Sequence, residues 1–401
     1  MAWVEKHGAG FRVRYRLPDN SIPSETGFSD YRAAADRAAD VESEQRTGAF
    51  VDPRLAQTCV GDWVRRWTDA HDVGAGTWAK YDAHLRNHIL PKFGEMELGA
   101  VSRMTVKAWV KSLRRSLAEA TVMDVVSLLS TIFNEAVDEG LIGANPCRRL
   151  RINTDGPTER PTATPAQVPL IAARARPMDQ VMIIMAAYTG MRWGELAGLQ
   201  WTRIDLDGGQ LTVDAKDGAL HEVGATLTLG PPKTKASARP IHLPPFLVDL
   251  LTELRTERPA ARFVFTAAEG GWHRRANFRR RVWLPATTGD RQRGWDPIAP
   301  GLHFHDLRHT HKTWLIEDNV PDVLQHRRMG HRQKGVSGRY SHVTPLMTTT
   351  MVDALQRRWE HNGSTQSGDH YQDRSVVKIS CSHNAPTTQK RPAGDDHRQA
   401  I

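Results

Sequence analysis

Strict alternation runs through Phe11-Arg-Val-Arg-Tyr-Arg-Leu17, and a strand is the element that sends successive side chains to opposite faces. Val13, Tyr15 and Leu17 share the face expected to be buried. Arg12, Arg14 and Arg16 share the other, a basic stripe that suits either phosphates or plain solvent. An alanine-rich stretch from Asp30 to Glu44 predicts a helix, so residues 1–55 read as a small α+β module. From Cys59 to about Leu150 the period becomes helical. Val60, Trp63, Val64 and Trp67 fall at i, i+3, i+4 and i+7, and similar stripes follow at Val106, Trp109, Val110, Leu113 and at Val122, Val125, Leu129, Phe133. This predicts an all-α domain over 57–150 whose tryptophans point into its core.

Residues 151–169 are rich in Pro, Thr and Gly, the composition of a linker. Over 170–360 the pattern is mixed α/β. Helices are expected around Gln180 to Leu199, strands at Gln210–Val213, Ala225–Leu229 and Arg239–His242, and a helix opened by Pro244 and Pro245, where a missing N–H does no harm. The polar stretch 361–401 reads as a disordered tail. The fold class is therefore multidomain: a small α+β module, an all-α domain, and a mainly helical domain with a small antiparallel sheet.

Composition narrows the partner. Of 401 residues, 39% are hydrophobic and 25% charged, so most of the chain can bury a core. The net charge of +9 favours a polyanion. Residues 160–360 hold 28 basic against 19 acidic side chains, an excess equal to the whole +9. Within them Arg274, Arg275, Arg279, Arg280 and Arg281 form a cluster suited to a DNA backbone, with Arg114 and Arg115 as further candidates in the all-α domain. The longest apolar run, Val181 to Ala187, is far shorter than the ~18 residues of a membrane span. Cys59, Cys147 and Cys381 form no CxxC pair, and the N-terminus has no signal-peptide core, so a cytoplasmic, membrane-free protein is expected.

The chemistry-bearing segments are Tyr188-Thr-Gly-Met-Arg-Trp-Gly-Glu-Leu196, Pro231-Pro-Lys-Thr-Lys-Ala-Ser-Ala-Arg239, Gly301-Leu-His-Phe-His-Asp-Leu-Arg-His-Thr310, Met329-Gly-His331 and Arg339-Tyr-Ser-His342. In this order the set resembles the tyrosine recombinases, or phage-type integrases. His88-Ile-Leu-Pro-Lys-Phe-Gly94 and Gly140-Leu-Ile-Gly-Ala-Asn-Pro146 extend the likeness to the family's core-binding domain. Each motif alone is weak; their order, with Tyr340 nine residues after His331, carries the resemblance. It implies a site of Arg192, Lys233, His305, Arg308, His331 and the nucleophile Tyr340. It also implies two domains closing on double-stranded DNA attachment sites as a clamp, and a homotetramer acting on paired sites through a four-way junction. The N-terminal module resembles integrase arm-binding domains, which favours integration and excision of a phage or other mobile element, with an accessory directionality factor or DNA-bending protein as a further partner.

The same residues make chemical sense without a family name. A phosphodiester gains charge on its oxygens as it is attacked, and two guanidiniums such as Arg192 and Arg308 meet that charge with fixed forks. Glu195 lies three residues after Arg192 on what should be one helix, close enough to hold it. Tyr340, with a reference pKa of ~10, needs a proton acceptor, which His305 supplies. Lys233, expected at a hairpin tip between two strands, would return a proton to the leaving oxygen, with Lys235 as a rival; His331 would donate to a non-bridging oxygen. No phosphate-cradling GxxxxGK[ST] loop and no acidic cluster is present, so no cofactor or metal is expected. Two alternatives remain. His305 and His309 have zinc-ligand spacing, with His311, His326 and His331 nearby, although Arg308 stands between them. A non-catalytic DNA-binding protein on the same fold would retain the cations without the reaction.

Overall fold

The computed structural model describes residues 1–17, 19–47, 50–150, 159–332 and 342–364. Two compact units result, one of Met1–Glu159 with Glu222–Thr226, the other of Arg160–His221 with Leu227–Ile401.

In the first unit, β1 (Ala2–His7), β2 (Gly10–Tyr15) and β3 (Ser24–Phe28) form an antiparallel meander in the order β1-β2-β3. The alternation read from sequence is the register seen. Val13, Tyr15 and Leu17 are buried against Ala34, Ala38 and Val41 of α1 (Tyr31–Thr47). The basic face is not a free stripe, however. Glu5 lies opposite Arg12 on β1 and pairs with both Arg12 (2.6 Å) and Arg14 (3.3 Å).

A helical cluster follows from α2 (Val60–Ala70), α3 (Ala75–His84), the short α4 (Leu90–Phe93), α5 (Arg103–Leu113) and α6 (Glu119–Asp138). The predicted stripes are its core: Val60, Trp63, Val64 and Trp67 meet Val106, Trp109 and Val110, with Val122, Val125, Leu129 and Phe133 between them. Trp63 stays satisfied by donating its indole N–H to Ile132 O at 3.0 Å. α6 is long and apolar enough by composition to cross a membrane, although no unbroken apolar run marks it. Most of its apolar side chains pack into this core, while Met123 is exposed.

The second unit has a single large core around α8 (Pro177–Thr189), whose residues from Val181 to Thr189 are all buried. A helix buried on every side shows no amphipathic period, so its sequence carries no periodic signal of where it ends. The expected linker is shorter than 151–169. Ala163 is already buried, its N–H donating to Thr310 Oγ1 at 2.9 Å, and α7 spans Gln167–Ala172. β4 (Ile204–Asp205), β5 (Gln210–Val213) and β8 (Arg239–His242) form one sheet, while β6 (Ala219–Val223) and β7 (Thr226–Gly230) form a separate hairpin. The Lys233 segment therefore joins two different sheets and is not a hairpin tip. α9 (Trp193–Ala197), α10 (Pro245–Glu257, proline first), α11 (Arg275–Phe278), α12 (Leu284–Thr288), α13 (Asp306–Glu317), α14 (Asp322–Met329) and α15 (Pro345–Ser364) complete the unit. Helix thus continues into the first four residues of the expected tail.

Candidate active site

Chain reversals deliver the site's cations. α8 stops at Gly190, which is left-handed (φ 64°), and Arg192 becomes the N-cap of α9, so the helices expected over 180–199 are α8 and α9. Glycine is required at this turn, both for its left-handed backbone and for its packing. A Cβ at Gly190 would lie 2.7 Å from His311 Cδ2 and 2.8 Å from Met329 Sδ. Glu195 still meets Arg192, but as the third residue of a new helix: Oε2 accepts the Arg192 backbone N–H at 3.0 Å and Oε1 accepts Nη1 at 2.9 Å. Ser237 Oγ accepts a second bond from Arg192 Nη1, also at 2.9 Å.

Arg308, in the first turn of α13, is buried. It donates to Gly190 O and Met329 O, and its Nη2 lies 2.9 Å from His331 Nε2. A guanidinium only donates, so His331 Nε2 accepts and the ring proton sits on Nδ1. Burial, then Arg308 and Arg192, push the His331 pKa down to about 4. Burial, then Arg192 and Arg239, push Arg308 down to about 9, which leaves it cationic at neutral pH.

Beneath this layer Arg239, at the start of β8, bonds both oxygens of Glu195 (3.3 and 3.1 Å) and the carbonyls of Ser237 and Arg328 (both 2.6 Å). Burial raises the Glu195 pKa, but Arg239 and Arg192 outweigh it and hold the carboxyl below its ordinary value. One buried carboxylate thus braces two arginines.

Arg192, Glu195, Lys233 and His305 line one cleft of about 530 Å³, together with Arg275 and Arg279. Lys233 is exposed there, two residues after Pro231, whose carbonyl lies 2.8 Å from His221 Nε2. Lys235 opens a short 3₁₀ turn and lies outside that lining. His305 caps α13; burial, then Arg308 and His309, hold its imidazole below the ordinary histidine value. Arg308 reaches the Gly190 turn through Gly190 O and meets His331 directly, and neither Arg308 nor His331 is among the residues lining that cleft. Tyr340 lies outside the described residues.

Among the described residues no three His, Cys, Asp or Glu side chains cluster as metal ligands, and the His305 and His309 rings stand 5.7 Å apart, edge to face. The remaining basic candidates differ in availability. Arg279 and Arg280 are exposed, while Arg281 lies 3.9 Å from Glu269, so the cluster is less acid-free than its sequence. Arg274 and Arg275 have partners of their own. Arg114 is paired with Glu119 at 2.5 Å; Arg115 and Arg16 are exposed.

Residues 163–347 match the phage integrase family, and residues 60–114 match its N-terminal SAM-like domain. The chain belongs to the phage integrase family. Similar integrases include that of Mycobacterium phage L5, 26% identical over 74% of this chain and 78% of the relative. A tyrosine recombinase XerC-like protein of Caldanaerobacter subterraneus is 26% identical over 77% and 85%. Two solved integrases share the fold. The Tn1549 transposon integrase in complex with transposon right end DNA has a TM-score of 0.61 at 18% identity, covering 76% of this chain and 99% of that one. The lambda integrase tetramer bound to a Holliday junction has a TM-score of 0.52 at 17% identity, covering 83% and 96%.

Within this integrase fold, sequence reasoning assigned no role to Arg239 or Arg328. Arg239 closes the very segment that supplied Lys233, and a lone arginine opening a strand after a polar turn was the available signal. Nothing in sequence distinguishes Arg328 from its exposed-looking neighbours in His326-Arg-Arg-Met329, although only Arg328 is buried beside Met329.

Proposed function

We propose that this phage integrase family member cuts and rejoins DNA strands through a 3′-phosphotyrosine at Tyr340, integrating or excising a phage or other mobile element. The observation that carries the reading is the convergence of Arg192, Lys233 and His305 on one cleft, with Arg308 joined to the Arg192 turn through Gly190 O and to His331. Arg192 and Arg308 stabilise charge on the attacked phosphate, where fixed cations act most strongly in a site shielded from water. His305, held in its neutral form, accepts the tyrosine proton. Lys233 protonates the leaving 5′ oxygen and takes precedence over Lys235 because it faces the cleft. His331 presents Nδ1–H to a non-bridging oxygen. The covalent link stores the phosphodiester bond, so resealing onto a new 5′ hydroxyl needs no external energy source.

The substrate is duplex DNA, bound as a homotetramer on paired attachment sites, with a directionality or DNA-bending factor controlling the outcome. The solved lambda integrase tetramer on a Holliday junction supports the assembly. The test is a nicked duplex carrying the sequence at the border between the element and its host DNA. A covalent protein–DNA adduct formed by the natural chain and absent in Tyr340→Phe is expected. A salt-sensitive complex with no adduct would leave only a DNA-binding protein.

A further inference from the structure

Arg328 is buried in the catalytic unit, yet among the described residues it has no carboxylate partner. Its three donor groups go to three other elements. Nε donates to His311 Nε2 on α13 at 2.9 Å, Nη1 to His242 O at the end of β8 at 2.9 Å, and Nη2 to Tyr188 O near the end of α8 at 2.8 Å. Burying a cation among neutral acceptors is costly compared with an apolar side chain of similar volume, so packing alone does not account for this choice.

What the fork joins is informative. Tyr188 is two residues before Gly190, the turn that delivers Arg192. His242 ends the strand that begins with Arg239. His311 lies one helical turn beyond Arg308, and Arg328 itself is followed by Met329, Gly330 and His331. The segments that carry Arg192, Arg239, Arg308 and His331 all meet at this one side chain. Two close contacts make the junction tight. Gly190 leaves no room for a Cβ against His311 Cδ2 and Met329 Sδ, and a Cβ at Gly330 would come within 2.9 Å of Arg239 Nη1.

We propose that Arg328, with His311 as its side-chain acceptor, is a positioning residue that fixes Arg192, Arg308 and His331 relative to one another for attack on the phosphate. It touches no substrate and acts through the Gly190 and Gly330 turns. The proposal rests on the strand-cleavage reading above. Lysine would keep the charge but offers one ammonium, which cannot span acceptors on three elements, so the planar fork is the operative feature.

The experiment compares the natural chain with Arg328→Lys, Arg328→Met, His311→Leu and His311→Gln. Thermal unfolding, equilibrium DNA affinity and single-turnover adduct formation at saturating nicked border DNA are measured for each. The side-chain ¹⁵N shift of His331 in the DNA-free protein is recorded as well, because its Nε2 accepts from Arg308. Expected are folded Arg328→Lys and His311→Leu proteins with unchanged DNA affinity, a shifted His331 resonance, and adduct formation slowed about tenfold to a hundredfold, the scale of a small misplacement of catalytic groups. His311→Gln, which restores an acceptor, should recover most of the rate. Variants that cleave at the natural rate with an unmoved His331 signal would overturn the proposal, as would a rate loss no greater than the fraction unfolded. If Arg328→Met fails to fold, the lysine and His311 variants decide. If the natural chain itself forms no adduct, strand cleavage is refuted, and the His331 shift alone supports or overturns the positioning claim.

Discussion

Glu195 shows at the level of single residues how the site is held. Its carboxylate is 2% exposed and braces Arg192 and Arg239. Removing one partner of a buried pair commonly costs about 3–5 kcal/mol, because the other charge stays behind unpaired. Glu195→Ala should therefore lose about that much in denaturant unfolding at pH 7. The folded pKa lies below the unfolded value of ~4.3, so this contribution is complete above ~4.3 and disappears as pH falls through the lower folded value. The gap between Glu195→Ala and the natural chain should be flat from neutrality to about pH 5 and shrink in stronger acid. The histidines have the opposite charge and the same sense of shift. His331 titrates near 4 in the fold and ~6.5 when unfolded, so its neutral form favours folding above ~6.5 and that contribution declines as pH falls toward 4. His305 is also held below its ordinary value, which keeps it a base at neutrality. The pH profile of kcat/KM for strand cleavage should rise with an inflection below ~6.5 and be level by neutrality. An inflection at or above pH 7 would remove His305 from the role of base.

At the scale of elements, two left-handed glycines separate backbone strain from packing. Gly140 has φ 69° with nothing within 4 Å of a Cβ, whereas Gly190 has φ 64° with His311 and Met329 under 3 Å away. Gly140→Ala should cost only the left-handed penalty of about 1–2 kcal/mol, and Gly190→Ala about 1–3 kcal/mol more from overpacking. Cleavage should fail in the second variant alone, since it moves Arg192. The same contrast explains what sequence could reveal. Alternation in Phe11–Leu17 and the stripes of the helical cluster were legible because one face of each element is buried and the other is wet. α8 is dry all round, so its end at Gly190 left no break in periodicity. Strands adjacent in sequence usually pair, which makes the Lys233 segment read as a hairpin tip; here β8 pairs with β5 across the intervening β6–β7 hairpin. Arg192, Lys233, His305, Arg308 and His331 were legible because ordered motifs carry them. Arg239 and Arg328 were not, since burial of an arginine depends on long-range acceptors, such as Arg328 O for Arg239 and Tyr188 O for Arg328, that no local pattern encodes.

Over the whole molecule, net charge divides into cations already spent and cations open to a partner. In the N-terminal sheet Arg12 and Arg14 share Glu5, whose carboxyl is held down to about 2 by Trp3, Arg12 and Arg14, so two thirds of the expected basic stripe is partly neutralised. Arg114 is likewise paired with Glu119. In the catalytic unit Arg279 and Arg280 are exposed and, among the described residues, carry no ion pair, and Arg279 also faces the cleft. DNA affinity falls with salt by about 0.9 in log–log slope for each phosphate neutralised. Replacing Arg279 and Arg280 together should therefore flatten the slope by up to about 1.8, measured by fluorescence anisotropy of a labelled duplex across a potassium chloride series. Replacing Arg12 and Arg14 should flatten it by less, because their field is offset by Glu5. Glu5→Gln should act in the opposite direction, steepening the slope and tightening duplex binding by releasing both guanidiniums. Equal losses from the two arginine pairs, with no gain from Glu5→Gln, would show that the salt bridges open on DNA and that the sheet grips phosphate as strongly as the catalytic unit.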